Sequence, residues 1–507
     1  MNRKKDAIII SYISMALNFL YNFFVMPMLI DALTDNYYSI YKIVQSFAGP
    51  LTLFNLGVST IVTRAVVSCN QNDPDSVKTK QNNIALSIIA SVAMAFVLFI
   101  VSLFMRAIIP SIYGNNYSPA DIVIGQNVFS IFTLSIIFHV LTDAISGMVL
   151  GHRGYTYHSL ISLVKILLKA LLIIVFIKLH FGVIAVSFVD LMVSITSFLL
   201  FAFYAFIIAK ERPKLYFFDK KKIAEIFAYA FAILLQGVVN QINNSVDTMV
   251  LGAMITEKYI ITMYSCALAI YSIYITLSSM IGTYFLPDAI SLVNNKANGR
   301  QLTDFIIKPG RFQAMIAVAV LAVFGANGAQ FINLWIGEKY GNAYYIAMIL
   351  LIPVTIPQVQ NVAVAILDAT LKRKYRSIIL FVMALLNLLL TICLVKVISY
   401  WGAAIATAIS LVVGHGLLMN LYYRKEFKIE IGRMFGSIFH KTLLCGLISA
   451  AFIFLANKFI ITPVLSNGWL SFITSCGIQF LLYVTLLYFW GMNSDEKAFV
   501  NRHLRRR

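Results

Sequence analysis

Long apolar segments alternate with short polar ones along almost the whole chain. A helix rises 1.5 Å per residue, so about 20 apolar residues suffice to cross a hydrocarbon core of about 30 Å. This pattern predicts an all-α, polytopic membrane protein of about fourteen transmembrane helices. The predicted spans are residues 7–30, 39–66, 84–108, 121–150, 160–178, 183–209, 228–254, 260–290, 311–335, 343–371, 376–397, 402–423, 435–461 and 468–490.

One polar segment is unusually basic. Residues Lys210 to Lys222 (KERPKLYFFDKKK) contain a proline and six basic side chains, and they separate six predicted spans from eight. We interpret this segment as a connection between two helical bundles that move. The predicted domains are an N-terminal six-helix lobe at 1–209, a cytoplasmic linker at 210–227, a C-terminal six-helix lobe at 228–423, and two extra helices with a basic tail at 424–507.

The basic residues are distributed asymmetrically. The chain has a net charge of +19, which in a soluble protein would indicate nucleic acid. With a cytoplasmic N-terminus, 31 of the 40 lysines and arginines fall on cytoplasmic segments and 7 on the outer side. This is the positive-inside distribution of a membrane protein. It predicts that both termini are cytoplasmic, and it argues against a nucleic-acid partner.

Sequence signatures of enzymes and metal sites are absent. The five cysteines are isolated, without the CxxC spacing of a zinc site, and we expect buried thiols. The chain contains neither a GxxxxGK[ST] phosphate loop nor an HExxH motif. We therefore predict a protein that is not an enzyme and has no metal or cofactor.

A weak internal repeat relates the two predicted lobes. MPMLIDALTDNYYSIY at 26–41 resembles TMVLGAMITEKYIITMY at 248–264. In both, a methionine-containing apolar run ends in Thr, an acidic residue, a polar residue and Tyr. Both matches lie at predicted outer ends of helical hairpins, which favours two pseudo-symmetric bundles.

Two lysines lie inside the fifth predicted span. Lys165 and Lys169 are four residues apart, hence on one helical face, and Lys169 is near the bilayer midplane. Asp143 on span four lies at a comparable depth, so we expect it to pair with one of them. Two interpretations remain: a structural ion pair, or a cavity that binds an anion such as a phosphate. Three other acids, Asp190, Asp288 and Asp368, are assigned no role.

Three further basic residues are candidates for the same cavity. Arg64 and Arg153 lie near the cytoplasmic interface, where they either anchor their helices or face the substrate. Lys42, near the outer end of span two, either extends toward the interface or faces the cavity.

Span seven carries an unusual density of amides. The residues on its polar stripe are Gln236, Asn240, Asn243, Asn244 and Asp247. This stripe either forms hydrogen bonds between helices or lines a cavity that contacts sugars or ions. Tyr271 on span eight belongs to an aromatic stripe that stacks on sugars or fills the core.

Several motifs together resemble a known family. They are PMLIDALTDNYYSIYKIVQSF in the first hairpin, FNLGVSTIVTRAV at 54–66, MVLGHRGYTYHSLISLVK at 148–165 and NNSVDTMVLGAM at 243–254. The order of these features resembles the polysaccharide and oligosaccharide flippases of the multidrug/oligosaccharidyl-lipid/polysaccharide exporter superfamily. One position departs from that pattern, because Asn55 stands where the family often has an acid.

The resemblance implies two lobes around a cavity, working by alternating access in the bacterial cytoplasmic membrane. The implied substrate is undecaprenyl-diphosphate-linked oligosaccharide for O-antigen (lipopolysaccharide) or capsule biosynthesis. Implied partners are this lipid-linked oligosaccharide, membrane lipids and the polysaccharide polymerase machinery. The energy source is either an H⁺ or Na⁺ gradient or consumption of the product. Two alternatives remain: an ion-coupled multidrug exporter and a lipid II flippase.

Overall fold

A computed structural model of the chain describes residues 3–54, 58–70, 72–217, 245–279, 285–370, 372–461, 465 and 467–504. All regular secondary structure in these ranges is helical. Eleven of the described helices are long and apolar enough to cross a membrane. The chain is therefore a multi-pass membrane protein.

The first compact unit comprises Met1–Thr262. Its helices are α1 (Arg3–Ala48), α2 (Val58–Val67), α3 (Pro74–Tyr113), α4 (Pro119–Gly151), α5 (Tyr155–Lys178), α6 (Val183–Ile208) and α7 (Ser245–Met254). Helices α3 and α4 begin where the sequence provides caps, since Asp73 and Ser118 accept backbone N–H bonds and prolines follow them.

Helix α1 contains the first predicted span and the beginning of the second. Its backbone breaks only at Thr34, which has φ 60° and ψ 166°. Spans one and two are thus joined by a one-residue break rather than a loop. The second span is interrupted, because α1 ends at Ala48 and a 3₁₀ turn covers Gly49–Phe54 before α2 begins.

The second compact unit comprises Met263–Arg507, and α8 (Lys258–Ser279) begins before the division and continues into it. The remaining helices are α9 (Leu286–Asn294), α10 (Gly299–Ile336), α11 (Ala343–Val359), α12 (Ala363–Ala369), α13 (Arg373–Ile398), α14 (Tyr400–Phe427), α15 (Ile431–Ile461), α16 (Gly468–Gly491) and α17 (Ser494–Leu504). Predicted span 343–371 is two helices, with a break after Val359.

Small residues bring α4 close to α2. A Cβ atom on Gly147 would lie 2.5 Å from the backbone oxygen of Ser59, and one on Gly151 would lie 2.5 Å from Cβ of Val66. Glycines four residues apart are a common means of close helix contact in membranes. Because Asp143 is four residues before Gly147, it lies on the same face, toward α2.

A buried ion pair attaches the C-terminal helix α17 to the second unit. Arg311 on α10 donates from Nε to Glu496 Oε1 at 2.6 Å and from Nη2 to Glu496 Oε2 at 3.0 Å. The same guanidinium donates to the backbone oxygens of Ser437 and Gly491. Ion pairing with Arg311 lowers the pKa of Glu496 although burial opposes it. Arg311 therefore joins α10, α15, α16 and α17 at one point.

The segment that follows α6 is bound to α3 and to the turn after α4. Glu211 has a side chain only 3% exposed, and its Oε1 lies 2.8 Å from Lys80 Nζ and 2.6 Å from His152 Nε2. Further along, the backbone N–H groups of Tyr216 and Phe217 donate to Oδ1 of buried Asn82. The described first part of the predicted linker is thus anchored to α3 and to the turn after α4.

The Glu211 anchor predicts a pH-dependent stability. Burial raises the pKa of Glu211, but bonds from His152 and Lys80 outweigh it and lower the pKa. A lowered carboxyl pKa stabilises the fold above the unfolded pKa of about 4.5, and this stabilisation is lost as pH falls through the folded value. We expect Glu211→Gln to cost about 1.5 to 3 kcal/mol at pH 7 and progressively less below about pH 4.5, measured by unfolding in detergent.

Glu426→Gln is the matched control, because Glu426 pairs with Lys372 at an exposed position. Its effect should stay below about 1 kcal/mol. Equal stability of wild type and Glu211→Gln at pH 7 would contradict the anchor.

Candidate functional site

Helix α5 presents a polar stripe on one face. His158, Ser162, Lys165 and Lys169 are spaced by four, three and four residues, so they align along the helix. Helix α5 packs against α1 and α6. The stripe begins at the helix end that follows the basic turn after α4 and continues into the apolar span.

Lys169 is paired with an acid on α6. Its Nζ lies 2.6 Å from Asp190 Oδ1, and the two side chains are 27% and 16% exposed. Nζ also lies 5.7 Å from the centre of the Tyr21 ring on α1. The Tyr41 hydroxyl donates to Asp190 Oδ2 at 3.3 Å. This cluster joins α5 and α6 to α1 on both sides of its break.

The backbone of Asp190 is fixed independently of its carboxylate. Its carbonyl oxygen accepts bonds from the hydroxyls of Ser135 at 3.1 Å and Ser194 at 2.8 Å. The two hydroxyl oxygens are 2.7 Å apart. Helices α4 and α6 are therefore held together without using the side chain of Asp190.

The expectation that Asp143 pairs with a lysine of α5 is wrong. Oδ2 of Asp143 accepts the backbone N–H of Ser59 at 3.0 Å, at the beginning of α2. The physical reason is that Asp143 shares the glycine face of α4, which packs on α2 rather than α5. Its carboxylate satisfies a free helix N-terminus, where a negative charge is favourable.

Asp190, to which the sequence assigned no role, takes the place expected of Asp143. Asp190 is surrounded by apolar residues in span six, and an acid inside a membrane span is by itself a reason to count it among the candidate site residues. Nothing in the sequence distinguishes Tyr21 and Tyr41 from the other tyrosines of the chain. His139, an electrostatic neighbour of Lys165, Lys169 and Asp190, carried no sequence signal beyond its polarity.

Lys165 differs from Lys169 in having no counter-ion among the described residues. Within the part of the chain that the structure describes, no acceptor bonds its ammonium group. Its side chain is half-buried, and its electrostatic neighbours include Lys169, His139 and His158. The stripe on α5 thus has two lysines for one aspartate. The local excess of positive charge is one unit, located one helical turn from the ion pair.

The other predicted residues are not brought into this cluster. Arg64 is exposed in the last turn of α2, and Arg153 is exposed in the turn after α4. Lys42 Nζ lies 3.5 Å from Gln45 Oε1 and 5.5 Å from the Tyr38 ring centre, both on its own helix.

The candidates on spans seven and eight are described only in part. Asp247 is buried and Tyr271 is half-buried. The neighbouring Tyr274 is a core residue whose hydroxyl lies 2.6 Å from Thr355 Oγ1. The amides of the predicted polar stripe lie outside the described residues: Gln236, Asn240, Asn243 and Asn244.

The fold resembles solved membrane transporters. "Lipid II flippase MurJ, inward closed conformation" matches with a TM-score of 0.74 and 17% identity, covering 94% of this chain and 98% of that one. An inward-facing multidrug resistance MATE family transporter of the MOP superfamily matches with a TM-score of 0.64 and 13% identity, covering 81% and 94%. The chain thus has the fold of these transporters.

The sequence defines the family more closely. A family model described as "Polysaccharide biosynthesis protein" matches residues 4–289, more than half of the chain. The chain belongs to this family, which confirms the resemblance seen in the sequence. A comparison with curated protein sequences gives no significant match.

The Lys169–Asp190 pair predicts energetic coupling between its two residues. Lys169→Ala leaves a carboxylate without its counter-ion in a membrane span, and Asp190→Ala leaves the ammonium. Removing both should destabilise less than the sum of the single changes, with a coupling of about 1 to 3 kcal/mol. A double-mutant cycle measures this coupling: the free energies of unfolding in detergent are compared for the wild type, the two single variants and the double variant.

The exposed pair Lys78 and Asp75 is the matched control, for which we expect a coupling of about 0.5 kcal/mol or less. Additive effects at Lys169 and Asp190 would refute the ion pair.

Proposed function

We propose that the protein is a flippase for undecaprenyl-diphosphate-linked oligosaccharide repeat units in surface polysaccharide biosynthesis. The observation that carries this proposal is the lysine stripe of α5. A diphosphate is an anion that must leave the headgroup region to cross the bilayer, so its carrier needs compensating positive charge at depth. Lys165, half-buried and without a counter-ion among the described residues, supplies it.

The geometry of α5 suits an anion that moves along the helix. His158 and Ser162 lie nearer the basic end of α5, and Lys165 and Lys169 follow toward its middle. Lysine binds phosphate as a flexible point charge and does not impose the planar geometry of arginine. The flexible chain of Lys165 therefore permits contact with a phosphate at more than one depth.

The proposed setting is the bacterial cytoplasmic membrane, with both termini in the cytoplasm. Transport proceeds by alternating access of two lobes, which the sequence places at 1–209 and 228–423, and the amides of span seven contact the sugars. Membrane lipids surround the protein, and a polysaccharide polymerase uses the product. An H⁺ or Na⁺ gradient, or product consumption, supplies the driving force.

Lipid II is the second candidate substrate. The match to the MurJ flippase covers 94% of this chain, and a lipid-linked sugar diphosphate would satisfy the same lysines. Export of cationic drugs, the other alternative, is disfavoured by the local positive excess on α5, since a cation would be repelled there.

Lys165→Ala tests the proposal. We expect the rate of lipid-linked oligosaccharide translocation in proteoliposomes to fall about tenfold or more, because a charged contact of about 1.5 to 3 kcal/mol is lost. Lys165→Arg should keep most of the rate. Lys178→Ala, at the exposed far end of the same helix, is the matched control and should behave as wild type.

Full activity of Lys165→Ala at normal protein level would refute the anion site. Parallel assays with lipid II and with a hydrophobic cation identify the substrate class: preferential transport of the cation would overturn the flippase proposal.

A further inference from the structure

We infer that the Asp190 carboxylate takes the place of the substrate's phosphate before the substrate binds. It pairs with Lys169 until the diphosphate of a lipid-linked substrate displaces it. Asp190 is then a positioning residue that makes α1 sensitive to occupancy of the site. This inference rests on the proposed function and adds to it a role for Asp190, to which the sequence assigned none.

The placement of the two lysines suits a diphosphate. Lys165 and Lys169 lie on adjacent turns of one helical face, where side chains are neighbours. An anion that reaches Lys165 is therefore one turn from Lys169. A single phosphate contacts Lys165, whereas a diphosphate has a second anionic group that extends to Lys169.

Electrostatic repulsion prevents a phosphate and Asp190 from occupying Lys169 together. Asp190 Oδ1 lies 2.6 Å from Lys169 Nζ, so a phosphate bound to the same ammonium would be close to the carboxylate. Two anions at such a distance repel each other strongly where water is scarce. Both side chains of the pair are partly exposed. The phosphate and Asp190 therefore compete for Lys169.

The exchange is confined to side chains. The backbone oxygen of Asp190 is held by Ser135 and Ser194, and neither serine bonds its carboxylate. The carboxylate can leave Lys169 without separating α4 from α6. Among the described residues, its remaining hydrogen-bond partner is the Tyr41 hydroxyl on α1.

The consequence is a signal to α1. Tyr21 precedes the break at Thr34 and contacts Lys169, while Tyr41 follows the break and contacts Asp190. Exchange of the ion pair changes both contacts together. Because the break is a single non-helical residue, the two halves of α1 are joined at a point that can bend. Diphosphate binding therefore loosens α1 on both sides of Thr34.

Binding of farnesyl diphosphate, a lipid diphosphate probe, to the full-length protein in detergent tests the exchange. Isothermal titration calorimetry at constant salt is expected to give a Kd about tenfold lower for Asp190→Asn than for wild type, because the competing anion is gone. Asp75→Asn, which removes an equal charge from an exposed pair on α3, should leave Kd within about twofold. An unchanged or higher Kd for Asp190→Asn would show a purely structural pair and overturn the inference.

Hydrogen exchange of wild-type protein provides a second readout that needs no variant. Addition of farnesyl diphosphate should accelerate amide exchange in α1 around Tyr21 and Tyr41, and unchanged exchange at saturating probe would overturn the inference. Lys165→Ala separates the two proposals. If its Kd equals that of wild type, the anion site itself fails; if its Kd rises tenfold while Asp190→Asn binds like wild type, the site stands and the exchange fails.

Discussion

The cost of placing a charge in hydrocarbon governs the architecture of this protein. A buried lysine or aspartate requires a counter-ion, a hydrogen bond or access to water. Lys169 on α5 and Asp190 on α6 form an ion pair, and two tyrosines of α1 contact it. Arg311 and Glu496 obey the same rule in the second unit, where one bidentate pair fixes the C-terminal helix. Lys165 has neither a counter-ion nor a hydrogen bond among the described residues, and an unpaired charge of this kind favours a binding role.

Helix positions were predictable because the apolar pattern is set by the bilayer rather than by detailed packing. Each of the fourteen predicted segments contains a helix within the described residues. The breaks were not predictable: Thr34 interrupts α1 with a single residue, and predicted span 343–371 divides after Val359. Such breaks depend on tertiary contacts, which leave no periodic signal in the sequence. The domain boundaries at 209, 228 and 423 stay predictions.

The ion-pair partner shows why a site is harder to predict than a fold. Depth along the helix pointed to Asp143 as the partner of the lysines, and Asp190 was assigned no role. Rotation about the helix axis decided between them, because Gly147 and Gly151 turn the Asp143 face of α4 toward α2. A reading of small residues as contact faces would have excluded Asp143 from the sequence alone. The contacts of Tyr21 and Tyr41, by contrast, require knowledge of how α1 crosses α5 and α6.

The central claim is that the lysine face of α5 binds the diphosphate of a lipid-linked oligosaccharide. A cryo-electron microscopy structure of the protein with that substrate tests it most directly. The account predicts phosphate oxygens about 2.7 to 3.2 Å from Nζ of Lys165 and Lys169, with the Asp190 carboxylate moved away from Lys169. A diphosphate bound elsewhere, with the Lys169–Asp190 pair intact and Lys165 without an acceptor, would contradict it.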